Sequence, residues 1–335
     1  MAVTLHDVAR AAGVSIKTVS NVVNDYPHIR PETRARVEAA IAQLGYSPNL
    51  SARSLRRGRT GVIGLALPEL SLPYFAELAD SVMRAADRHG LTVLIEQTGA
   101  DPARERDVLR SPRRQLTDGL LFSPLALSTD DESTLAVDYP LVLLGERIFS
   151  DRIDHVTMRN VAAARAATAH LLDRGRRRIV ALGAHEGETI GSATLRLQGY
   201  REAHAAAGVP VDESLVVHSG PWRRVGGAEA MRGAIEAGVG FDAVFAFNDT
   251  LALGALRSLQ EAGLRVPADV AVVGFDDVDD SRYSVPSLSS IAPGREEIAQ
   301  TAVDVLRGRI DGTRTDPPRV HEAEFSLVAR ESSEA

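Results

Sequence analysis

The 335-residue sequence contains no cysteine, and this absence excludes disulfide bonds, thiolate catalysis and cysteine-ligated metal centres. Aromatic residues make up only 4% of the chain, so its core has to be built from alanine, valine, leucine and isoleucine. No apolar run reaches the roughly 18 residues of a membrane-spanning helix, and charged side chains interrupt the N-terminal segment where a signal peptide would be apolar. With 44% apolar and 25% charged residues, the composition predicts a soluble, cytoplasmic protein of about two domains without a membrane partner.

Charge is distributed unevenly along the chain. Residues 1–60 carry nine basic and four acidic side chains, a net charge of +5, whereas the remainder carries 29 basic and 41 acidic ones, a net charge of −12. A small basic segment attached to a large acidic one is typical of a nucleic-acid-binding domain joined to a second functional domain. A solvated basic surface without a partner explains the charges equally well.

The basic segment is predicted to form three short helices from the spacing of its apolar residues. A first helix follows Thr4 and ends at Gly13, and a second follows Ser15 after a tight turn. A third begins at Pro31 and ends at Gly45. Two helices joined by a tight turn containing glycine match the helix-turn-helix pattern. The apolar faces are formed by Leu5, Val8, Ala9, Ala12, Val19, Val22, Val23, Val37, Ile41 and Leu44.

In a helix-turn-helix, the start of the second helix faces the major groove of DNA. Lys17 can then donate to guanine and Asn21 can pair with adenine. The residues expected to point outward from this helix are Ile16, Lys17, Ser20 and Asn21. Candidate phosphate contacts, which fix register, are Ser15, Thr18, Asn24 and Thr33, and Thr4 is a further candidate DNA contact. From spacing alone, a three-helix bundle without a DNA-binding role is the alternative.

Two strings in this segment carry a resemblance to a known family. TLHDVARAAGVSIKTVSNVVN, from Thr4, and TRARVEAAIAQLGYSPN, from Thr33, resemble the head of the lactose-repressor (LacI/GalR) family of bacterial transcription regulators. The resemblance implies that residues 1–47 form a DNA-binding headpiece and that residues 48–60 hold a hinge helix and linker. Such a hinge forms on DNA, pairs with its copy in a dimer and inserts a leucine, here Leu55, into the minor groove. The residues that would line the same groove are Ala52, Arg53 and Arg56.

Without the resemblance, a flexible linker is the simpler interpretation of residues 48–60. A helical segment of fewer than about 12 residues is mostly unfolded when isolated in water.

From Gly61 onward, short apolar runs alternate with helical segments. The runs begin at Val62, Leu91, Gly119 and Pro140, and again at Arg178, Leu215, Asp242 and Asp269. This alternation predicts parallel sheets covered on both faces. Two such sets predict two doubly wound α/β subdomains with a ligand pocket in the crevice between them.

The resemblance adds a periplasmic-binding-protein-like fold in which the chain crosses between two lobes three times. We expect residues 61–335, which follow the small all-α headpiece in the sequence, to form an effector-binding and dimerisation domain. Its N-lobe is expected to contain residues 62–160 and 291–318, and its C-lobe residues 161–290 and 324–330. Tetramer-forming members carry a further C-terminal helix for which no room remains after Val328, so the expected assembly is a homodimer.

Six residues of the body are candidates for binding a small effector. The resemblance places the rings of Tyr74 and Phe75 at the mouth of the cleft, where they can stack on a sugar or base; core packing is the alternative for Phe75. Arg196 aligns with the arginine that grips the effector, and its planar guanidinium suits vicinal hydroxyls or a carboxylate. The only tryptophan, Trp222, stands at a strand end and can form the floor of a sugar site.

Asn248 and Asp276 complete this set. Asn248 begins a helix at the carboxyl end of a strand, where it either contacts the effector or only caps the helix. The resemblance gives Asp276 the role of accepting hydrogen bonds from hydroxyls, whereas Asp277 is expected to face away or to cap. Donors, acceptors and a stacking face together favour a sugar-like effector over a purine.

Three positions depart from the family's usual pattern. Arg159 stands where many relatives carry aspartate, which favours an anionic effector such as a sugar phosphate or uronate unless Arg159 is simply exposed. Asn21 replaces a frequent arginine, and Ile16 replaces an aromatic residue. We therefore expect an operator that differs from those of the best-known members.

An enzyme and a secreted solute-binding protein are the alternatives. No dinucleotide-binding, P-loop, serine-hydrolase or zinc-protease motif occurs in the sequence, and the acidic run from Asp276 to Asp280 is explained more simply as a solvated loop than as a metal site. We expect no cofactor and no metal. The basic head argues against a solute-binding protein. The sequence predicts a ligand-responsive transcription regulator, a repressor in the simplest case, but leaves the effector's sign open, as inducer or corepressor.

Overall fold

A computed structural model describes residues 3–23, 26–46 and 59–334 of the chain. The chain divides into two compact units, Met1–Thr60 and Gly61–Ala335. The predicted DNA contacts that lie outside the described residues are Asn24, Ala52, Arg53, Leu55 and Arg56. Within the described residues, no helix is long and apolar enough to cross a membrane.

The first unit contains the three predicted helices. They are α1 (Leu5–Ala12), α2 (Ile16–Val23) and α3 (Pro31–Leu44). Gly13 and Gly45 end α1 and α3 with φ angles of 62° and 63°, in the left-handed region that glycine adopts without strain. The three helices pack around a core that contains the fully buried valines Val8, Val19 and Val37.

The second unit is built from strands and helices in alternation. The strands are β1 (Val62–Leu67), β2 (Thr92–Gln97), β3 (Leu120–Phe122), β4 (Leu141–Leu144), β5 (Asp154–Met158), β6 (Ile179–Ala184), β7 (Val216–His218), β8 (Ala243–Ala246), β9 (Ala271–Phe275), β10 (Ser289–Ala292), β11 (Val320–Ala323) and β12 (Ser326–Val328). The helices are α4 (Pro73–Asp87), α5 (Pro102–Arg110), α6 (Asn160–Asp173), α7 (Ser192–Ala206), α8 (Arg224–Glu236), α9 (Asp249–Glu261), α10 (Asp280–Tyr283) and α11 (Arg295–Asp311).

These strands form two sheets. The first has the order β11-β5-β4-β3-β1-β2 and the second the order β12-β10-β9-β8-β6-β7. Every pairing is parallel except that of β10 with β12. Strands β3, β4, β8 and β9 are buried along their whole length, as expected for parallel strands covered by helices on both faces. The predicted fold class is confirmed.

The chain passes between the two sheets three times. The first crossing is at Arg159, between β5 and α6; the second follows β10 at Pro293; and the third lies between β11 and β12 at Glu324. These positions differ by a few residues from the expected lobe boundaries. The whole of β10, expected to begin the returning N-lobe segment at residue 291, lies in the second sheet, and β11 extends the N-lobe beyond residue 318.

Candidate functional site

The carboxyl ends of several strands deliver polar side chains to one region between the lobes. Glu146 follows β4 in the N-lobe, while Asn248 and Asp276 follow β8 and β9 in the C-lobe. All three side chains are at least nine-tenths buried. In an open parallel sheet, this edge is where ligands bind.

Arg196, on α7, lies at the centre of this region with only 3% of its surface exposed. Its Nε donates to the Asn160 Oδ1 at 2.9 Å, and its Nη1 donates to the carbonyl oxygen of Phe247. Its Nη2 lies 3.9 Å from the Asp276 Oδ1. Burial lowers the pKa of the guanidinium, and the carboxylates of Asp276 and Glu146 oppose that shift.

Two aromatic rings enclose this guanidinium. The Arg196 Cζ is 3.6 Å from the centroid of the Phe275 ring and 5.2 Å from that of Trp222, both within the range of a cation–π interaction. Trp222 is fixed by its indole nitrogen, which donates to the carbonyl oxygen of Gly183 at 2.9 Å. No role for Phe275 was predicted from the sequence.

Asp276 begins a turn with an uncommon backbone. Asp276 and Asp277 have φ angles of 114° and 46°, in the region that residues other than glycine rarely adopt. The turn is held by the guanidinium of Arg295, which donates to the Asp276 carbonyl oxygen at 3.1 Å, and by that of Arg330, which donates to the Asp277 carboxylate at 2.6 Å. Burial raises the pKa of the Asp276 carboxyl well above its ordinary value. The Asp277 carboxylate therefore forms a structural ion pair with Arg330. This agrees with the expectation that Asp277 faces away from the site.

Asp249 supports the same turn from beneath. It is fully buried, and its carboxylate accepts hydrogen bonds from the Val278 backbone nitrogen at 3.0 Å and from the hydroxyls of Ser281 and Ser290 at 2.7 and 2.5 Å. The Ser290 hydroxyl oxygen in turn accepts from the Asp277 backbone nitrogen at 3.1 Å. Burial raises the pKa of the Asp249 carboxyl to about 7, against the effect of these hydrogen bonds. From the sequence it was interpreted only as a residue at a helix start.

The N-lobe contributes Tyr74, Phe75 and Glu146. The rings of Tyr74 and Phe75 are partly buried and meet edge to face with centroids 5.3 Å apart, and both pack on the hydrophobic core. Burial raises the pKa of the Tyr74 hydroxyl, and the carboxylates of Asp276 and Glu146 raise it further. These carboxylates therefore approach the same ring from opposite lobes.

Polar contacts join the lobes across the cleft. The Glu146 carboxylate accepts a hydrogen bond from the Ser192 hydroxyl of the C-lobe at 2.7 Å. On the other side of the cleft, the Glu77 carboxylate of α4 accepts from the Asp279 backbone nitrogen at 2.9 Å. A separate cavity of about 540 Å³ is lined by residues of both lobes, among them Arg147 and His185, but by none of the six candidate effector residues. A volume of this order suits a small molecule.

Two candidate side chains have other partners. The Asn248 Oδ1 accepts from the Leu251 backbone nitrogen at 2.8 Å, so this atom caps α9. Arg159 pairs with the Glu324 carboxylate at 2.8 Å and lies 3.8 Å from Glu322. Because those carboxylates already neutralise Arg159, the presence of this arginine does not support an anionic effector.

The headpiece presents its candidate DNA contacts in different ways. Lys17 is exposed on α2, whereas Ile16 is partly buried against the headpiece core rather than fully outward. The Ser15 hydroxyl accepts from the Thr18 backbone nitrogen at 3.1 Å and so caps α2. Thr4 donates its backbone nitrogen and its hydroxyl to the Asp7 carboxylate, at 3.0 and 2.7 Å. The caps of α1 and α2 thus engage two side chains that were expected to contact DNA.

Comparison with known proteins agrees with both units. Residues 4–49 match the model of the bacterial regulatory proteins of the lacI family, and residues 168–333 match that of the periplasmic binding protein-like domain. The ribose operon repressor of Escherichia coli is 33% identical over 311 residues, which cover 92% of this chain and 93% of that one. The chain belongs to the LacI family.

Two solved structures of LacI-family proteins resemble the whole chain. The Lac repressor dimer bound to operator and the anti-inducer ONPF is 30% identical, covers the full length of both chains and has a TM-score of 0.85. The complex of the transcriptional regulator CelR with cellobiose is 32% identical, covers 99% of this chain and all of the other, and has a TM-score of 0.73. Members of this family are DNA-binding transcription regulators with sugar-binding effector domains, not enzymes, as predicted.

Proposed function

We propose that this LacI-family protein is a dimeric repressor whose affinity for a near-palindromic operator is set by a sugar-like effector in the interlobe cleft. The observation that carries the proposal is the arrangement of Arg196, Trp222 and Asp276. It combines a buried guanidinium, an aromatic face and a buried carboxylate, and these groups suit the hydroxyls and the apolar face of a sugar ring.

Two relatives support a sugar effector. One is named for a ribose operon, and another was solved with cellobiose. Tyr74, Phe75 and Asn248 complete the proposed site. Asn248 would contribute through its amide nitrogen, because its oxygen already caps α9.

The proposed recognition surface is the exposed side of α2. Lys17, exposed there, would donate to guanine in the major groove, and Asn21 would pair with adenine. Thr18, Ser20 and Thr33 would add further DNA contacts. The contribution of the hinge, including Leu55, stays a prediction from the family resemblance.

An exposed apolar surface on the C-lobe supports a dimer. Val225, Tyr283 and Val285 expose 59%, 77% and 90% of their surface, respectively. An ion pair between Arg224 and Asp280 joins the two elements that carry them. Large apolar side chains exposed on two joined elements favour a protein–protein interface, and the Lac repressor relative was solved as a dimer.

The test is selection of random duplex DNA by the full chain at fixed salt, with and without a mixture of neutral sugars. We expect a near-palindromic sequence to be enriched, and its recovery to change when sugars are added. An increase would identify a corepressor and a decrease an inducer. If no duplex is enriched in either arm, the proposed DNA-binding function is wrong.

The same selection tests Lys17. Lys17→Ala should relax the preference at one base position by about 1–3 kcal/mol, because a donor to a base edge is lost. Arg36→Ala removes the same charge from an exposed position on α3 and should leave the base preference unchanged. An unaltered preference in Lys17→Ala would show that Lys17 does not read a base.

A further inference from the structure

Glu146 was not identified from the sequence, yet it stands at the boundary between the lobes with 6% of its surface exposed. Its two carboxylate oxygens accept from hydroxyls on opposite sides. The Thr157 hydroxyl of β5 donates at 3.4 Å, and the Ser192 hydroxyl at the start of α7 donates at 2.7 Å. Glu146 therefore already binds the functional group that a sugar presents.

Asp276 lies beside Arg196, which is one turn of α7 beyond the Ser192 that Glu146 contacts. Its nearest cationic nitrogen within the described residues, the Arg196 Nη2, is 3.9 Å from its Oδ1, which is beyond hydrogen-bonding distance. Buried carboxylates in proteins are satisfied by donors. A ligand hydroxyl placed between Asp276 and Glu146 would supply such donors.

The positive charges around this space are already paired. Arg295 lies 2.6 Å from the Glu77 carboxylate, and Arg147 lies 3.7 Å from that of Glu188. Arg223 pairs with Glu69 across the cleft. Arg196 itself donates its Nε to the Asn160 side chain and its Nη1 to the Phe247 carbonyl oxygen. Among the residues that the structure describes, each of these four arginines thus has a protein partner that an incoming anion would have to displace.

We propose that Glu146 is a specificity residue of the cleft: with Asp276, it restricts the effector to a polyhydroxylated molecule without a negative charge and excludes the corresponding sugar acid or sugar phosphate. This inference rests on the proposed effector function and narrows it. A negative charge within about 6 Å of a carboxylate in a partly buried site is disfavoured by at least about tenfold. A hydroxyl in the same position donates to either carboxylate without that penalty.

Trp222 allows the charge of the cleft to be measured without knowing the effector. It is the only tryptophan of the chain and lies 5.2 Å from the Arg196 Cζ, so all tryptophan fluorescence comes from this site. Quenching by iodide, caesium and acrylamide compares access for an anion, a cation and a neutral molecule. The measurements should be made on the full chain in mildly alkaline buffer.

We expect Glu146→Gln to raise the iodide quenching constant, relative to acrylamide, by at least about twofold and to lower that of caesium. Glutamine keeps one acceptor oxygen for the Ser192 hydroxyl and removes the charge, with an amide nitrogen in place of the second oxygen. Glu236→Gln is the matched control, because it removes an equal charge from an exposed position at the far end of α8. Equal iodide quenching in wild type and Glu146→Gln, or an equal rise in Glu236→Gln, would overturn the proposal.

Matched ligands test the same inference directly. Binding of ribose and ribose 5-phosphate, and of glucose and glucuronate, should be followed by melting temperature and by Trp222 fluorescence. The neutral member of a pair should bind wild type at least about tenfold more tightly than the anionic one, and Glu146→Gln should reduce this preference. Tighter binding of the anionic member of either pair would overturn the exclusion of anions.

The two experiments separate the inference from the proposed function. If none of these sugars binds wild type or variant, the sugar-effector part of the proposed function loses its support. Fluorescence quenching still decides whether Glu146 makes the cleft exclude anions.

Discussion

Single residues of the C-lobe show how burial changes a side chain's chemistry. Asp249 stands at the start of a helix, where an exposed aspartate would only interact with the helix dipole. Here the carboxyl is fully buried beneath the Asp276 turn and accepts three hydrogen bonds. Those hydrogen bonds hold Val278 and Ser281 in place, so Asp249 positions the turn although it does not face the cleft.

The raised pKa of Asp249 gives a testable pH dependence. Its pKa is about 7 in the folded chain against an ordinary value of 3.8. Between these values the folded chain keeps a proton that the unfolded chain has released, so the stability from this group is fully present at low pH and declines as the pH rises towards 7. Asp249→Asn cannot titrate and should remove a decline of about 2–3 kcal/mol between about pH 5 and 7.

Urea unfolding of wild type and Asp249→Asn across this pH range makes the comparison. The difference between the two curves isolates Asp249 from the other titrating groups. Parallel curves would show that Asp249 does not bind a proton on folding in this range.

At the scale of elements, glycines set how closely the helices pack. A Cβ on Gly254 of α9 would overlap the carbonyl oxygen of Arg224, and one on Gly227 of α8 would overlap that of Leu251. The two helices therefore touch backbone to backbone close to Asn248, which caps α9. Gly233, also on α8, faces open space instead.

Alanine at these glycines should have opposite effects on the free energy of unfolding. Gly254→Ala should destabilise the fold by about 1–3 kcal/mol or more, because backbone atoms cannot move away as a flexible side chain can. Gly233→Ala should stabilise it by about 0.5–1 kcal/mol, because alanine is the better helix former where there is room. Urea midpoints of the two variants measure this, and destabilisation by both substitutions would contradict the close contact at Gly254.

At the scale of the whole effector unit, the three chain crossings are tied together. Arg159 of the first crossing pairs with Glu324 of the third. The Glu324 backbone nitrogen donates to the Glu297 carboxylate of α11 at 3.0 Å, next to the second crossing. A residue that the sequence suggested for ligand binding thus joins the segments about which two lobes would move.

Arg159→Ala should loosen these crossings with little loss of stability. The Arg159 side chain is 39% exposed, so its ion pair contributes only about 0–1 kcal/mol. Amide hydrogen exchange should nevertheless increase at residues 159, 294 and 324. Arg257→Ala breaks a comparable exposed pair, with Glu261 within α9, and should leave exchange at the crossings unchanged. Equal exchange in wild type and Arg159→Ala would show that this ion pair does not restrain the three crossings between the lobes.

Local chemistry explains how much of this molecule could be predicted from its sequence. The headpiece helices follow from caps and apolar spacing within a few residues, as Gly13 and Gly45 show. The strands with uninterrupted apolar runs, such as Val62–Leu67, were predicted nearly to the residue. The short strands β10 and β11 were not, because polar residues such as Ser289 and His321 interrupt their pattern and only pairing with neighbouring strands defines them.

The sequence by itself determined the two-part organisation, the helix-turn-helix and the paired α/β lobes, because neighbouring residues and hydrophobic periodicity encode them. It also suggested Arg196, Trp222 and Asp276 through the family resemblance. Only the tertiary structure decided that Glu146 accepts a hydrogen bond from Ser192 of the other lobe and that Arg159 pairs with Glu324 across 165 positions of chain. Such partners depend on how the ends of strands from the two lobes converge in space. The spacing of residues along the sequence does not specify the distance between those strand ends.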